Sequence, residues 1–182
     1  MMELALHILD IAENSVRAGA KTVSIEITEE PGKDRFSFVI SDDGTGMGKA
    51  DREKAMDPFY TTKKVRRVGL GLPMLAEAAE RAGGRFTIES QEGLGTRITA
   101  EFQLSHFDRQ PLGDITGALT VLIAGNGGVD FLFRYRCGDR LFEFDTKEIR
   151  REIGEIPIQQ VEVMKWVRQY IRDGLIEIGT NA

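Results

Sequence analysis

The sequence predicts an α+β protein, because patterns with the period of a helix and patterns with the period of a strand follow one another along its 182 residues. Residues 2–18 have the apolar spacing of a helix. Two alternating apolar strands come next, followed by a second amphipathic helix and a further pair of strands. A chain of this length forms one domain, or one domain with a small appendage.

Composition and charge narrow the class of protein. With 41% hydrophobic and 29% charged residues, the chain has the make-up of a soluble globular protein. No apolar run approaches the ~20 residues of a membrane span, and acidic residues at positions 3, 10 and 13 are untypical of a signal peptide, so we expect a cytoplasmic protein. The net charge of -5 argues against nucleic acid as the main partner. One cysteine and two histidines exclude an internal disulfide and a cysteine- or histidine-rich metal site.

The first helix, over residues 2–18, has one apolar face and one polar face. At about 100° per residue, its polar residues fall within an arc of roughly 80°; they are Glu3, His7, Asp10, Asn14 and Arg17. One interpretation is that this stripe faces water. The other is that Asp10 and Asn14, one turn apart, point together into a site. There an Asn amide oxygen can ligate magnesium, and an Asp can orient or deprotonate a water or hydroxyl.

The two strands after this helix form a predicted antiparallel hairpin. Residues 23–27 and 36–40 alternate, and a turn at residues 31–34 joins them. The second strand leads into Asp42-Asp43-Gly44-Thr45-Gly46. A carboxylate at the end of a buried strand, with glycines behind it, suits recognition of an exocyclic amine on a flat ligand. The same residues are also typical of a plain surface turn.

A short helix over residues 49–56 is predicted next, followed by a mobile loop over residues 59–68 with four basic side chains. The loop ends at Gly69-Leu70-Gly71-Leu72, just before a helix from Pro73 to about Ala82. Glycines ahead of a helix N-terminus expose N–H groups that bind phosphates. Alternatively, these glycines only make a tight turn and the basic side chains only keep the loop solvated. Strands over residues 86–88 and 97–102 complete this part of the chain.

Five segments together resemble one family. Residues 10–14, 42–46, 58–63, 69–72 and 93–96 are similar, in order and spacing, to the conserved boxes of the ATP-binding domain shared by gyrase, heat-shock chaperones, histidine kinases and mismatch-repair ATPases, the GHKL superfamily. The resemblance covers residues 1–104. Most of its details look like histidine kinases, whereas Asn14-Ser15 followed by Ala18-Gly19-Ala20 looks more like mismatch repair. It implies a Bergerat fold, a two-layer α/β sandwich with a mixed, mostly antiparallel sheet. It also implies ATP and magnesium as cofactors.

The resemblance assigns a role to each matching residue. Asn14 corresponds to the magnesium ligand, and Asp42 to the acceptor for the adenine amino group. Asp10 takes the position of the general base, although the family usually has Glu or Asn there. The resemblance also implies that the base is contacted by Gly44, Gly46 and Thr96. The phosphates would be held by Gly69, Leu70, Gly71 and Leu72. The lid would contribute Phe59 and Lys63, and Lys63 would reach the terminal phosphate.

Residues 105–182 lie outside the resemblance and are predicted to form a separate α+β extension. Residues 114–124 fit a helix, although 118–124 equally fit a buried strand. A hairpin over residues 131–144, a short helix capped by Asp145 and Glu148, and a longer helix around residues 163–171 follow. This extension is either an appendage packed on the ATP-binding domain or a module that binds a partner.

The expected function is that of a standalone kinase or ATPase subunit acting on a separate protein, with anti-sigma-factor serine kinases as the nearest analogy. The chain begins at the first box, which leaves no room for an upstream phosphoacceptor hairpin. We expect His7 to face solvent or support the site rather than accept phosphate. The alternative function is a non-catalytic switch gated by nucleotide. A homodimer is an open alternative for the oligomeric state.

Overall fold

The structure is a computed structural model that describes residues 3–56 and 71–180. Its helices are α1 (Leu4–Arg17), α2 (Lys49–Ala55), α3 (Gly71–Arg81), α4 (Ile115–Gly125), α5 (Thr146–Ile153) and α6 (Val161–Glu177). Its strands are β1 (Thr22–Glu30), β2 (Arg35–Asp42), β3 (Arg85–Gln91), β4 (Gly95–Gln103), β5 (Asp130–Cys137) and β6 (Arg140–Asp145). The predicted lid and the residues Phe59, Lys63, Gly69 and Leu70 lie outside the described residues.

The six strands form one mixed sheet in the order β3-β4-β2-β1-β5-β6. Strands β1 and β5 pair in parallel, and every other neighbouring pair is antiparallel. The prediction of an α+β fold with a mixed, mostly antiparallel sheet is therefore confirmed. The predicted turn between β1 and β2 is a short 3₁₀ helix, Pro31–Lys33, that ends at Asp34 in the left-handed conformation.

Helices cover one face of this sheet. The strands bury alternate residues against them, as in β1, where Val23, Ile25 and Ile27 are buried. The opposite face carries exposed polar side chains and cross-strand ion pairs, such as those of Arg134 with Glu26 and Glu143. An antiparallel sheet with one solvated face has this alternation. The molecule is thus a two-layer sandwich with its core between helices and sheet.

The ambiguous segment over residues 114–124 is a helix, α4. The carboxylate of Asp114 accepts a hydrogen bond of 2.7 Å from the backbone N–H of Gly117, which satisfies one of the free donors at the helix start. Helix α4 packs between α1 and α6 and buries most of its length. A short continuous apolar run fits either a helix or a strand by period, so only the fold decides between them.

The C-terminal part of the chain widens the sheet. Strand β5 pairs with β1 from Thr22↔Asp130 to Glu29↔Cys137, and β6 forms the sheet edge. The first backbone N–H groups of α1 donate to Pro111 O and Leu112 O at 2.9 and 2.8 Å. The predicted domain division after residue 104 stays a prediction, and strand pairing runs across it. Within residues 3–56 and 71–180, no helix has both the length and the apolar character that crossing a bilayer requires.

Candidate functional site

The carboxylate of Asp42, the last residue of β2, is held in place by two hydrogen bonds. Its Oδ2 atom accepts from the hydroxyl of Ser15 on α1 at 2.6 Å, and its Oδ1 atom accepts from the backbone N–H of Gly44 at 2.9 Å. Each carboxylate oxygen can accept a further hydrogen bond. Because Asp42 is only partly buried, a donor can approach it from outside. The structure thus holds a fixed hydrogen-bond acceptor that an outside donor can reach.

Thr96 lies across the β2–β4 ladder from Asp42. Its hydroxyl is 2.9 Å from that of Ser90 on β3, and the Ser90 hydroxyl also accepts the backbone N–H of Met47 at 2.7 Å. These bonds tie the turn after β2 to the β3–β4 edge of the sheet. The structure therefore brings the predicted residues Asp42 and Thr96 together at the end of adjacent strands.

The backbone conformation and the close neighbouring backbone require glycine at two positions in this region. Gly46 has a φ of +63° and Gly95 a φ of +94°. A Cβ atom would lie 2.0 Å from the Gln91 carbonyl oxygen at the first position and 1.9 Å from the Asp42 carbonyl oxygen at the second. Neither position tolerates a side chain. The expectation that Gly44 and Gly46 allow a nucleotide base to approach closely stays a prediction.

Asp43 has a structural role next to Asp42. Its Oδ1 atom accepts backbone N–H groups from Lys21 at 2.7 Å and from Thr22 at 2.9 Å. Burial acts to raise the pKa of Asp43, but the hydrogen bonds from the backbone of Thr22 and Lys21 outweigh it, so the pKa lies below its ordinary value. The carboxylate thus fixes the connection from α1 to β1 while its neighbour faces the site.

Asp10 and Gly71 are brought together at the start of α3. A Cβ atom on Gly71 would lie 2.1 Å from Oδ2 of Asp10, so a side chain at this position would displace the Asp10 carboxylate. A carboxylate at the N-terminus of a helix is favourable, because the first N–H groups carry partial positive charge. The contact fixes the start of α3 against α1. Leu72, the next predicted site residue, is partly buried and packs against the core.

The Asn14 side chain accepts a hydrogen bond from Arg17. Its amide oxygen accepts from Nη1 of Arg17 at 2.8 Å, and Nη2 of Arg17 pairs with Oε2 of Glu13 at 2.7 Å. The Arg17 and Glu13 side chains are 50% and 41% exposed, and exposed pairs of this kind contribute little free energy. The predicted magnesium ligand is therefore occupied by a contact that a metal ion can displace at small cost.

His7 does not face solvent, which corrects one of the two expectations for it. Its side chain is buried, with 1% exposure, on the same helix as Asp10. Burial lowers the pKa of His7 and keeps the ring neutral. A buried neutral ring is in no position to accept a phosphoryl group from outside the domain. Its predicted supporting role near the site stays a prediction.

A groove of about 510 Å³ opens at the ends of β2, β3 and β4. Its size falls within the usual range for small-molecule sites. Asp10 and Asn14 are not among the residues that line it. The lining residues come from the strand ends, the β3–β4 turn and α2; they are Ser41, Asp42, Arg52, Glu89, Ser90, Gln91, Leu94, Gly95, Thr96 and Arg97.

Sequence reasoning gave no site role to Ser15 and Ser90. The sequence could have indicated a hydrogen-bonding role for Ser15, because its hydroxyl lies on the apolar face of α1, one turn after Ile11. A buried polar group at such a position needs a partner. Ser90 had no such signal, since the N–H group that it accepts belongs to Met47, 43 residues earlier in the chain. Within the described residues, no group of three or more His, Cys, Asp or Glu side chains is placed to hold a metal ion.

The geometry of the Asp42 end agrees with a family match. The family described as histidine kinase-, DNA gyrase B- and HSP90-like ATPases matches residues 2–106. The chain belongs to this family. Membership of this ATPase family implies that the domain binds ATP.

Sensor kinases are among its curated relatives. The chain is 36% identical to sensor histidine kinase WalK of Bacillus subtilis over 101 residues, which are 53% of this chain and 16% of the kinase. It is 35% identical to sensor kinase CckA of Brucella abortus over 158 residues, which are 74% of this chain and 17% of the kinase. The chain thus spans less than a fifth of the length of these two relatives.

Solved structures share the fold at low identity. The N-terminal domain of a DNA repair protein superposes with a TM-score of 0.53 and 18% identity, covering 79% of this chain and 52% of that one. The MutL ATPase domain of Aquifex aeolicus complexed with ADP gives a TM-score of 0.51 and 16% identity, covering 85% of this chain and 68% of that one. Both likenesses show the fold.

Proposed function

We propose that this domain binds ATP with magnesium and then acts on a separate protein, to which it transfers the terminal phosphate. The sensor kinases among its relatives support a kinase-like role. The protein would work in the cytoplasm, where ATP is available. Its acceptor would be supplied by the partner, with a homodimer as one arrangement of the assembly.

The observation that carries this proposal is the fixed carboxylate of Asp42. Ser15 and the N–H of Gly44 orient it, and Thr96 stands across the ladder, at the mouth of a groove of suitable size. A fixed acceptor of this kind discriminates against ligands that lack the matching donor. Adenine offers an amino group of the right chemistry, so the residues present fit an adenine nucleotide.

At the other end of the proposed site, Asn14 would hold magnesium through its amide oxygen, once Arg17 has moved away. Magnesium prefers oxygen ligands and keeps several waters, so one amide and the phosphates form a suitable shell. The metal, when bound, supplies neutralisation of the phosphate charge. The first turn of α3, from Gly71, presents backbone N–H groups to the same region. Asp10 would orient or deprotonate the attacking hydroxyl or water.

The packing of Asp10 on Gly71 favours a second candidate function, a non-catalytic switch. A carboxylate that touches the start of α3 links that helix to α1. A nucleotide bound at the same helix start would alter this contact, and the change would reach a partner bound elsewhere. In this case ATP changes the affinity of the partner without being consumed.

One set of measurements separates these functions. Titration with ATP, with and without magnesium, should raise the melting temperature of the protein and of Asp10→Asn alike. The kinase proposal predicts transfer of labelled phosphate to a partner that is lost in Asp10→Asn. If both the wild type and Asp10→Asn bind ATP without hydrolysing it or transferring phosphate, the result supports the non-catalytic switch. Asn14→Ala should weaken binding only when magnesium is present. No thermal shift with ATP and magnesium would contradict both functions.

A further inference from the structure

An exposed pair of aromatic rings stands on α6, outside the family match. Trp166 and Tyr170 are 48% and 43% exposed, and their rings stack with centroids 5.1 Å apart at an interplanar angle of 19°. Tyr170 in turn contacts the buried rings of Phe142 and Phe144 on β6, at 5.8 and 6.2 Å. The four rings form a continuous row from the core to the surface, so the outer indole is held firmly in place.

A rigid, half-exposed tryptophan is characteristic of a contact surface. Trp is a large side chain that is highly buried on average, and aromatic residues are enriched where proteins bind one another. Two aromatic side chains lose little conformational entropy on binding when they are already packed against a core. The stacked pair therefore offers a prepared anchor.

The aromatic pair lies beside a free sheet edge. Within the described parts of the chain, no strand pairs with the outer side of β6. On the opposite face of the sheet, β6 exposes Leu141 at 46%. An extended segment added to this edge would place alternate side chains on Leu141 and on the rings of Trp166 and Tyr170. The edge thus has apolar contacts available on both faces.

The charges around the rings are unevenly distributed. At about 100° per residue, the acidic residues Glu162, Asp173 and Glu177 fall within about 40° of Trp166 around the α6 axis. The exposed basic residues of the helix lie at least about 100° away from it; they are Lys165, Arg168 and Arg172. The flank that carries the aromatic pair is therefore acidic. On the opposite face of the sheet Glu143 pairs with Arg134, and the Arg140 guanidinium at the start of β6 lies against Gly179, beyond the end of α6.

We propose that this surface, formed by Trp166, Tyr170 and the outer edge of β6, binds an extended basic segment of a partner protein. Main-chain hydrogen bonds to the β6 edge would give affinity, and the aromatic pair would receive an apolar side chain or the cation of Lys or Arg. The acidic flank selects a basic segment over an acidic one. A second copy of this chain is disfavoured as the occupant, because its own α6 would bring another acidic flank to the contact.

The test uses the fact that Trp166 is the only tryptophan, so its fluorescence reports on this surface alone. A short peptide of alternating lysine and valine is titrated into the full chain, and a glutamate–valine peptide serves as the control. The basic peptide should change the Trp166 emission saturably, with an affinity that falls as salt is raised. An equal response to both peptides, or none to either, would overturn the proposal.

Variants identify the surface with a labelled peptide, whose anisotropy does not depend on Trp166. Trp166→Ala should weaken binding about tenfold or more, whereas Val121→Ala, which truncates an exposed apolar residue on α4, should leave it unchanged. Glu162→Lys should weaken binding about threefold or more, and Glu80→Lys on α3 should not. The surface does not depend on the nucleotide site, so Asp42→Ala should bind the peptide normally.

Analytical sedimentation at increasing protein concentration tests whether a second copy of the chain occupies this surface. A chain that stays monomeric while it binds the basic peptide supports the proposal. A concentration-dependent dimer that Trp166→Ala converts to a monomer would assign the surface to a second copy and overturn it.

Discussion

The two ends of the candidate nucleotide site are built in different ways. At the Asp42 end, hydrogen bonds from Ser15 and Gly44 fix the carboxylate, and strand pairing fixes Thr96 opposite it. At the Asn14 end, the predicted ligand oxygen is held by the exposed side chain of Arg17. The Asp42 end is therefore fixed by the sheet, whereas the Asn14 end can rearrange by rotation of the Arg17 side chain.

This difference has a functional meaning. A base-recognition end must be rigid to discriminate one base from another, because a misplaced acceptor loses its selectivity. In the proposed function, the magnesium and phosphate end changes its contacts when the ligand arrives, since the ion would replace Arg17 on Asn14. The comparison predicts that substitutions near Asp42 affect folding and binding strongly, and that substitutions near Asn14 have little effect on stability.

The largest effect should come from Gly95→Ala. The new Cβ would lie 1.9 Å from the Asp42 carbonyl oxygen in a chain with positive φ, so we expect a loss of about 3 kcal/mol or more in the free energy of unfolding. Chemical denaturation measures it. Gly93→Ala is the matched control, because its φ is also positive but its Cβ would meet no atom within 4 Å, and it should lose about 1 kcal/mol. Equal losses would show that the strands at Asp42 are not held as described.

The next effect should come from Ser15→Ala. Removal of a hydroxyl that donates to a carboxylate weakens the orientation of Asp42, and ATP affinity should fall about tenfold. Calorimetric titration measures the affinity. Ser24→Ala serves as control, because that hydroxyl lies on β1 away from the groove and makes only a long contact to Glu26. Unchanged affinity in Ser15→Ala would mean that the carboxylate needs no support from α1.

Asp43 provides a smaller effect with a defined pH dependence. Its pKa is lower in the folded state than in the unfolded chain, so its contribution to stability is present above the unfolded pKa of about 3.9. That contribution is lost as the pH falls through the folded pKa. Asp43→Asn should therefore lower the melting temperature slightly at neutral pH and not in strong acid. The same loss at neutral pH and in strong acid would contradict the assignment.

The smallest effect should come from Arg17→Ala. Its ion pair with Glu13 and its bond to Asn14 are exposed, so the free energy of unfolding should change by less than about 0.5 kcal/mol. Lys33→Ala, which removes a comparable exposed pair with Glu30, should behave alike. A loss of several times that amount in Arg17→Ala would make the Asn14 end as rigid as the Asp42 end and remove the distinction between them.

Much of this arrangement could be predicted from local sequence, because period and turn chemistry determine helices and strands. The position of Asp42 after a strand was sufficient to place it at a sheet end, and the α+β fold followed from the order of elements. The pairing of β5 with β1 could not be predicted, since it joins segments about 100 residues apart. The requirement for glycine at Gly46 and Gly95 was equally hidden, because the clashing atoms belong to other strands.

The central claim is that Asp42 recognises the amino group of adenine, and a comparison of two nucleotides tests it most directly. Inosine triphosphate carries a carbonyl oxygen where ATP carries that amino group. The wild-type protein should bind ATP about a hundredfold or more tighter than inosine triphosphate in calorimetric titrations. Asp42→Ala should lose ATP binding while it keeps its fold by circular dichroism. Full affinity of Asp42→Ala for ATP would contradict the assignment of the whole site.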